Sequence, residues 1–310
     1  MKILITFLAA LLMTACSSGQ AGLQEETIEI TDAQDNVVQA PLNPDKLAVF
    51  DYALLDIIDA LGFSESVAVT SSNPKPAYLE ETYKDTPTAG TLHEVDLEAA
   101  MSTEPDMALV ATRSADAYSS LSEYVPTADF SLTQESPFIS MEYNVNQIAK
   151  IFQAEDEANK ILSDLDSQRQ EIKDEAEKSG QKALMVLYNQ DEISVYGPGG
   201  RFGHIYDDFG FESADPNIEQ SNHGMQVSYE YLLEVDPDII FVLDREIARS
   251  TKDGAGSEAT SAFQNHPLTE SLSAKKNDQI YYVTPDAWYI GNGGLQAYQI
   301  MIDDVAEALD

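Results

Sequence analysis

An α/β protein of two similar Rossmann-like lobes, joined by one long rigid helix and holding a ligand cleft between the lobes, is the fold class this sequence predicts. Three observations predict it. Short apolar runs alternate with helix-like stretches, the pattern of parallel sheets flanked by helices. A single amphipathic helix lies near the middle of the chain, and a helix–turn–strand unit occurs once on either side of it.

Taken in order, the chain opens with Lys2 and an apolar run over residues 3–13 broken only by Thr6. A membrane span needs about 20 residues, so this is the length of a leader and not of an anchor. Residues 1–15 therefore read as a signal peptide. The sequence Leu12-Met13-Thr14-Ala15-Cys16, followed by Ser17-Ser18-Gly19, resembles a bacterial lipobox, in which Cys16 is lipidated and becomes the mature N-terminus. Residues 16–26 are polar and read as a tether. An N-terminal α/β lobe is expected over 27–154, with strands at 47–50, 67–70 and 107–111 and a helix over 52–61 stopped by Gly62. From 155 to 179 the apolar positions Ala158, Ile161, Leu162, Leu165, Ile172 and Ala176 keep helical spacing, with Gly180 as a stop. Such a helix is about 37 Å long at 1.5 Å per residue, enough to serve as an interlobe strut over 155–180. A C-terminal lobe over 181–310 carries strands at 183–188, 193–196, 239–243 and 279–283. These runs are nearly unbroken in hydrophobicity, as strands covered on both faces are.

Composition narrows the function. With 54 acidic against 17 basic residues the formal charge is −37, which excludes the basic footprint a nucleic-acid binder needs. One cysteine excludes a disulfide framework and any cysteine-based metal cluster. The acidity itself reads as a solvated surface.

The internal repeat carries the chemistry. Residues 95–113 read VDLEAAMSTEPDMALVATR and residues 227–245 read VSYEYLLEVDPDIIFVLDR; aligned without a gap, they share Val, Glu, Pro, Asp, Val and the final Arg. Ligands of open parallel sheets bind beyond the carboxyl ends of the strands, which is where Arg113 and Arg245 stand. Arg201 lies in Gly197-Pro198-Gly199-Gly200-Arg201-Phe202-Gly203, a glycine-rich approach to a helix whose free N–H groups suit an anion. The glycine spacing departs from the dinucleotide fingerprint. No nucleophile elbow, Walker loop or H-E-x-x-H is present, and His93, His204, His223 and His266 show no ligand spacing. Binding, without catalysis, is the expectation, with an exported nucleotide-using α/β enzyme as an alternative.

The lipobox, the twin units and the long central helix together resemble the class III substrate-binding lipoproteins of ABC importers, which carry siderophores, haem and cobalamin. The stretches His223-Gly224 with Glu230-Tyr231-Leu232-Leu233, Asp244-Arg245, and Trp288-Tyr289 followed by Gly291-Asn292-Gly293-Gly294 are similar to the subgroup that binds ferric catecholate siderophores of the petrobactin and enterobactin type. The resemblance implies that Arg113, Arg201 and Arg245 surround the anionic iron chelate and that Tyr52 lines the cleft. It implies that His223 and Tyr289 reach the ferric ion when the siderophore leaves two of six sites open, and that Glu98 and Glu230 dock an ABC permease dimer. It further implies a monomer outside the cytoplasm, lipid-anchored through Cys16, with no resident cofactor and with iron carried as the siderophore complex. A haem or cobalamin carrier of the same class is the alternative, and three clustered arginines disfavour it.

Overall fold

The computed structural model describes residues 26–133, 136–190, 192–219, 221, 223–248 and 262–309. The expected leader and the tether up to residue 25, Cys16 included, lie outside the described residues. The described chain begins with an antiparallel hairpin, β1 (Thr27–Thr31) on β2 (Val37–Pro41). Four parallel strands then form the first sheet: β3 (Leu47–Val49), β4 (Val67–Thr70), β5 (Met107–Val110) and β6 (Thr127–Asp129), in the order β4-β3-β5-β6.

The second sheet is built from β7 (Lys182–Asn189), β8 (Glu192–Tyr196), β9 (Glu212–Ser213), β10 (Met225–Val227), β11 (Ile239–Asp244) and β12 (Ile280–Tyr282). Its centre is parallel, β7 beside β11 and β11 beside β12. Its flank is not: β8 runs antiparallel to β7, and β10 antiparallel to β8. The expectation of uniformly parallel units thus fails at β8. A short reversal through Gln190, which takes a left-handed φ of 51°, replaces the helical crossover that a parallel neighbour requires.

The repeat is structural as well as sequential. In one copy helix Leu97–Met101 leads into β5, and in the other helix Tyr229–Val235 leads into β11. Glu104 and Asp236, which align in the repeat, both adopt left-handed backbone, at φ 52° and 41°. The aspartate of each Pro-Asp turn then does the same work in each lobe. Asp106 accepts from the Lys46 amide at 2.8 Å and Asp238 from the Lys182 amide at 2.9 Å, so each pins the start of the neighbouring strand. Both repeat strands are interior to their sheets, pairing Met107 with Leu47 and Ile239 with Ala183.

Side chains alternate across each sheet with the strand period of two. Met107 and Leu109, like Ile239, Phe241 and Leu243, face one large core; Ala108 and Val110 face a second, and Ile240 and Val242 a third. The large core belongs to neither lobe alone. It continues along helix Glu155–Ser179 through Ala158, Leu162, Leu165, Ile172 and Ala176, and each large apolar side chain buried there contributes about 1.5–3 kcal/mol. Three acidic residues open this 25-residue helix, where the dipole favours them, and Gly180 closes it in left-handed backbone at φ 64°.

Helix Leu295–Glu307 packs on both the long helix and helix Tyr52–Ala60 of the first lobe. Its first turn is held by Asp56, a fully buried residue of Tyr52–Ala60 that accepts from the Gln296 amide at 2.8 Å and the Ala297 amide at 2.9 Å. A Cβ at Gly294 would collide with this carboxylate. Burial pushes the Asp56 carboxyl up to about 7, even though the two amide bonds pull the other way.

Candidate functional site

Three of the five arginines converge, each for a local reason. Arg113 follows β5 by three residues, after a turn in which the Thr112 amide donates to Ser131 Oγ at 2.6 Å and Thr112 takes a φ of 33°. Arg245 begins helix Arg245–Ala248 directly at the end of β11. The neighbouring Asp244 is occupied as that helix's cap, accepting from the amides of Glu246 and Ile247 at 2.9 and 3.2 Å, and does not pair with Arg245. Arg201 projects from the glycine loop, its guanidinium lying 4.8 Å over the Phe202 ring centroid.

Tyr289 is what they converge on. It closes helix Pro285–Tyr289. Its carbonyl accepts from Arg113 at 2.6 Å and from Arg201 at 3.2 Å, and its hydroxyl accepts from Arg245 Nε at 3.0 Å. The guanidinium carbons of Arg113, Arg201 and Arg245 stand 5.5, 4.7 and 6.0 Å from the ring centroid. Among the described residues none of the three forms an ion pair with a carboxylate. Burial, then the charge of Arg113, lowers the Arg201 guanidinium from its usual range. For the Tyr289 phenol, burial acts upward but loses to the Arg245 hydrogen bond and the surrounding guanidiniums, so the net shift is downward. A phenol eased toward phenolate beside unpaired cations is suited to a hard, highly charged metal held in an anionic chelate.

These residues wall a cavity of about 620 Å³, together with His223, Asp51, Leu132 and Asn292. Two smaller recesses of about 150 and 230 Å³ adjoin it, both bounded by Arg245 and Tyr289; His223 borders the first and His93 the second. His223 is exposed at this wall. Its loop can lie against the Tyr196 ring because Gly224, at φ 76°, has no Cβ to strike it.

Two readings of the sequence are revised here. Tyr52 does not line the cavity. It is fully buried, and its hydroxyl donates to the carbonyls of Ser71 and Asn73, because the first residue of a helix capped by Asp51 turns inward with the helix's apolar face. The glycine loop is not an open anion nest either. The Gly199 amide donates to Asp207 at 2.7 Å, and the amides of Gly200 and Gly203 donate to carbonyls within the loop. The loop contributes the Arg201 side chain instead. Glu98 and Glu230 are exposed, each in the first turn of its repeat helix and away from the cavity wall. His93 and Asp51 were not singled out by sequence. The available signal was position, since His93 stands two residues ahead of one repeat copy as His223 stands four ahead of the other.

Comparison with known proteins agrees with this architecture. The petrobactin-binding protein YclQ of Bacillus subtilis is 32% identical over 99% of this chain and 97% of its own length. The ferric-anguibactin-binding protein FatB of Vibrio anguillarum is 28% identical over 84% of this chain and 81% of its own. The crystal structure of YclQ superposes with a TM-score of 0.86 over 92% of this chain and 99% of that one. That of the catecholate-siderophore binding protein VctP of Vibrio cholerae gives 0.84 at 27% identity, over 91% of this chain and all of VctP. The family described as periplasmic binding protein matches residues 47–287, and with two sheets, a shared helical core and a cavity lined from both, the chain belongs to that family.

Proposed function

We propose that this protein captures a ferric catecholate siderophore and delivers it to an ABC permease. It is a binding protein of iron uptake, not an enzyme, and the iron is cargo, not a resident cofactor. The observation that carries the reading is the convergence of Arg113, Arg201 and Arg245 on Tyr289 in one cavity, where among the described residues none of the three forms an ion pair with a carboxylate. A cluster of unpaired guanidiniums is electrostatically incomplete until an anion enters. A neutral or largely apolar macrocycle would leave it so, which disfavours the haem or cobalamin alternative, and the satisfied amides of the glycine loop disfavour a nucleotide. The names of YclQ, FatB and VctP, which speak of petrobactin, ferric anguibactin and catecholate siderophores, support the same class of ligand.

In this reading His223 and Tyr289 complete the coordination of a ferric ion whose siderophore supplies two bidentate groups, the lowered phenol favouring the phenolate donor. Glu98 and Glu230, equivalent in the repeat, meet a two-fold permease. The chain divides into a leader (1–15), a tether (16–26) anchored through lipid on Cys16, lobes over 27–154 and 181–310, and the strut 155–180 between them. It works as a monomer outside the cytoplasm. Among the described residues no helix is long and apolar enough to cross a membrane. Trp288 is buried and adjoins Tyr289 in sequence, so its fluorescence reports on the cavity. Titration with ferric tris-catecholate should quench it saturably in the wild type and at much higher concentration after Arg113→Ala, Arg201→Ala and Arg245→Ala together. Equal binding by the triple variant would sink the proposal.

A further inference from the structure

His93 stands on the cavity wall opposite in sequence to every ligand-contacting residue assigned above except Arg113, and its placement is built with unusual care. The turn that carries it spans Gly90 to Val95, which form a bridge with one another. Gly90 takes φ 79°, and a Cβ there would collide with the backbone of residues 94–96. Within the turn, the Thr91 amide donates to the Glu94 carbonyl at 2.7 Å, and Thr91 Oγ1 accepts from the amides of His93 and Glu94 at 3.3 and 3.0 Å. Leu92 is buried as an anchor, and its amide donates to Asn73 Oδ1 at 2.7 Å. Asn73 is held in turn by the Tyr52 hydroxyl on its carbonyl, and the Ser72 amide donates to the Gly90 carbonyl at 2.9 Å. All of this fixes the backbone; the His93 side chain itself is exposed and borders both the main cavity and the recess shared with Arg113, Arg245 and Tyr289.

A residue whose turn is stapled from three sides, while its own imidazole is left exposed on a cationic cavity, is held ready for something that enters. We propose that His93 is a ligand-binding residue, the first lobe's imidazole, which hydrogen-bonds the anionic ferric chelate while His223 contacts it from the second lobe. The inference rests on the ferric-catecholate reading of the cavity. Tyr52 is then a positioning residue, acting on the ligand only through Asn73 and the turn, while Asn73 itself borders the recess. This gives the buried Tyr52 a part in binding without placing it in the wall.

The test uses the full mature chain with ferric tris-catecholate as probe. A hydrogen bond to a charged group makes His93→Ala bind about tenfold more weakly, at an unchanged melting temperature because the side chain is exposed. Tyr52→Phe, which removes the hydroxyl that holds Asn73, weakens binding in the wild-type background and adds little in the His93→Ala background, the coupling expected of a residue that acts through another. With the diamagnetic gallium tris-catecholate, the imidazole NMR signals of His93 and His223 shift. Those of His204, buried between Asp208 and Asn292, and of His266, stacked on Tyr229, stay in place. Wild-type affinity in His93→Ala, or a response confined to His223, overturns the inference and leaves the functional reading intact. Failure of the wild type to bind any ferric catecholate overturns both.

Discussion

Tyr289 makes a sharp prediction because its two ends have different tasks. The carbonyl, which Arg113 and Arg201 hold, survives any substitution; the hydroxyl, which Arg245 holds, does not survive Tyr289→Phe. If the phenolate reaches iron, Tyr289→Phe and His223→Ala each weaken a ferric bis-catecholate by tenfold or more and leave a tris-catecholate, already six-coordinate, within about twofold, since only the former has open positions. Fluorescence titration of both chelates decides it, and equal losses for the two would remove direct ligation. Arg113 and Arg245 could be singled out from sequence because both follow repeat strands and ligands of parallel sheets bind beyond strand ends, and Arg201 because it sits in a glycine-rich loop. The inward turn of Tyr52 was not legible, because a residue at a helix start can turn to the wall or to the core, and only the packing of the neighbouring 71–76 segment settles which. His93 was hidden for the same reason: its turn is held through Leu92 by Asn73, 19 residues before Leu92.

At the scale of elements, helix Leu295–Glu307 and helix Glu155–Ser179 behave as fasteners. Asp56 holds the start of the first with its carboxyl raised to about 7 by burial. An unfolded aspartate titrates near 4, so between about pH 4 and pH 7 the folded chain binds the extra proton, and this group's contribution to stability falls as pH rises through that window. Asp56→Asn has no such proton to lose. Its stability relative to wild type therefore improves from pH 4 to pH 8 in denaturant titrations, and parallel curves would show that Asp56 is not the titrating group. On the long helix, Leu165→Ala empties a site in the core common to both sheets and costs about 2–5 kcal/mol in urea unfolding, in one transition and not two. The long helix and the twin units were legible because their periodicity and repetition are local. The hairpin β1–β2, the antiparallel course of β8 and β10, and the docking of the last helix were not, because hydrophobic period fixes a strand's faces but says nothing of its partner's direction.

For the whole molecule the dominant quantity is charge. A formal −37 concentrates repulsion on the surface, and the ion pairs among the described residues are mostly exposed. Raising ionic strength from about 0.01 to 0.15 M shortens the screening length from about 30 to 8 Å, so the melting temperature rises with sodium chloride across that range. A flat or falling trend in calorimetry would mean that the surface charges are locally compensated. Fold class, by contrast, was written plainly in the alternation of elements, since net charge bears on solubility and association and not on topology. Asp56 accepts hydrogen bonds from the amides at 296 and 297, groups 240 and 241 positions away. The first half of the polypeptide cannot finish its interior until nearly the final residue has been made available. Closure across so great a span is slow, so the docking of helix Leu295–Glu307 on helix Tyr52–Ala60 is expected as a late step of folding.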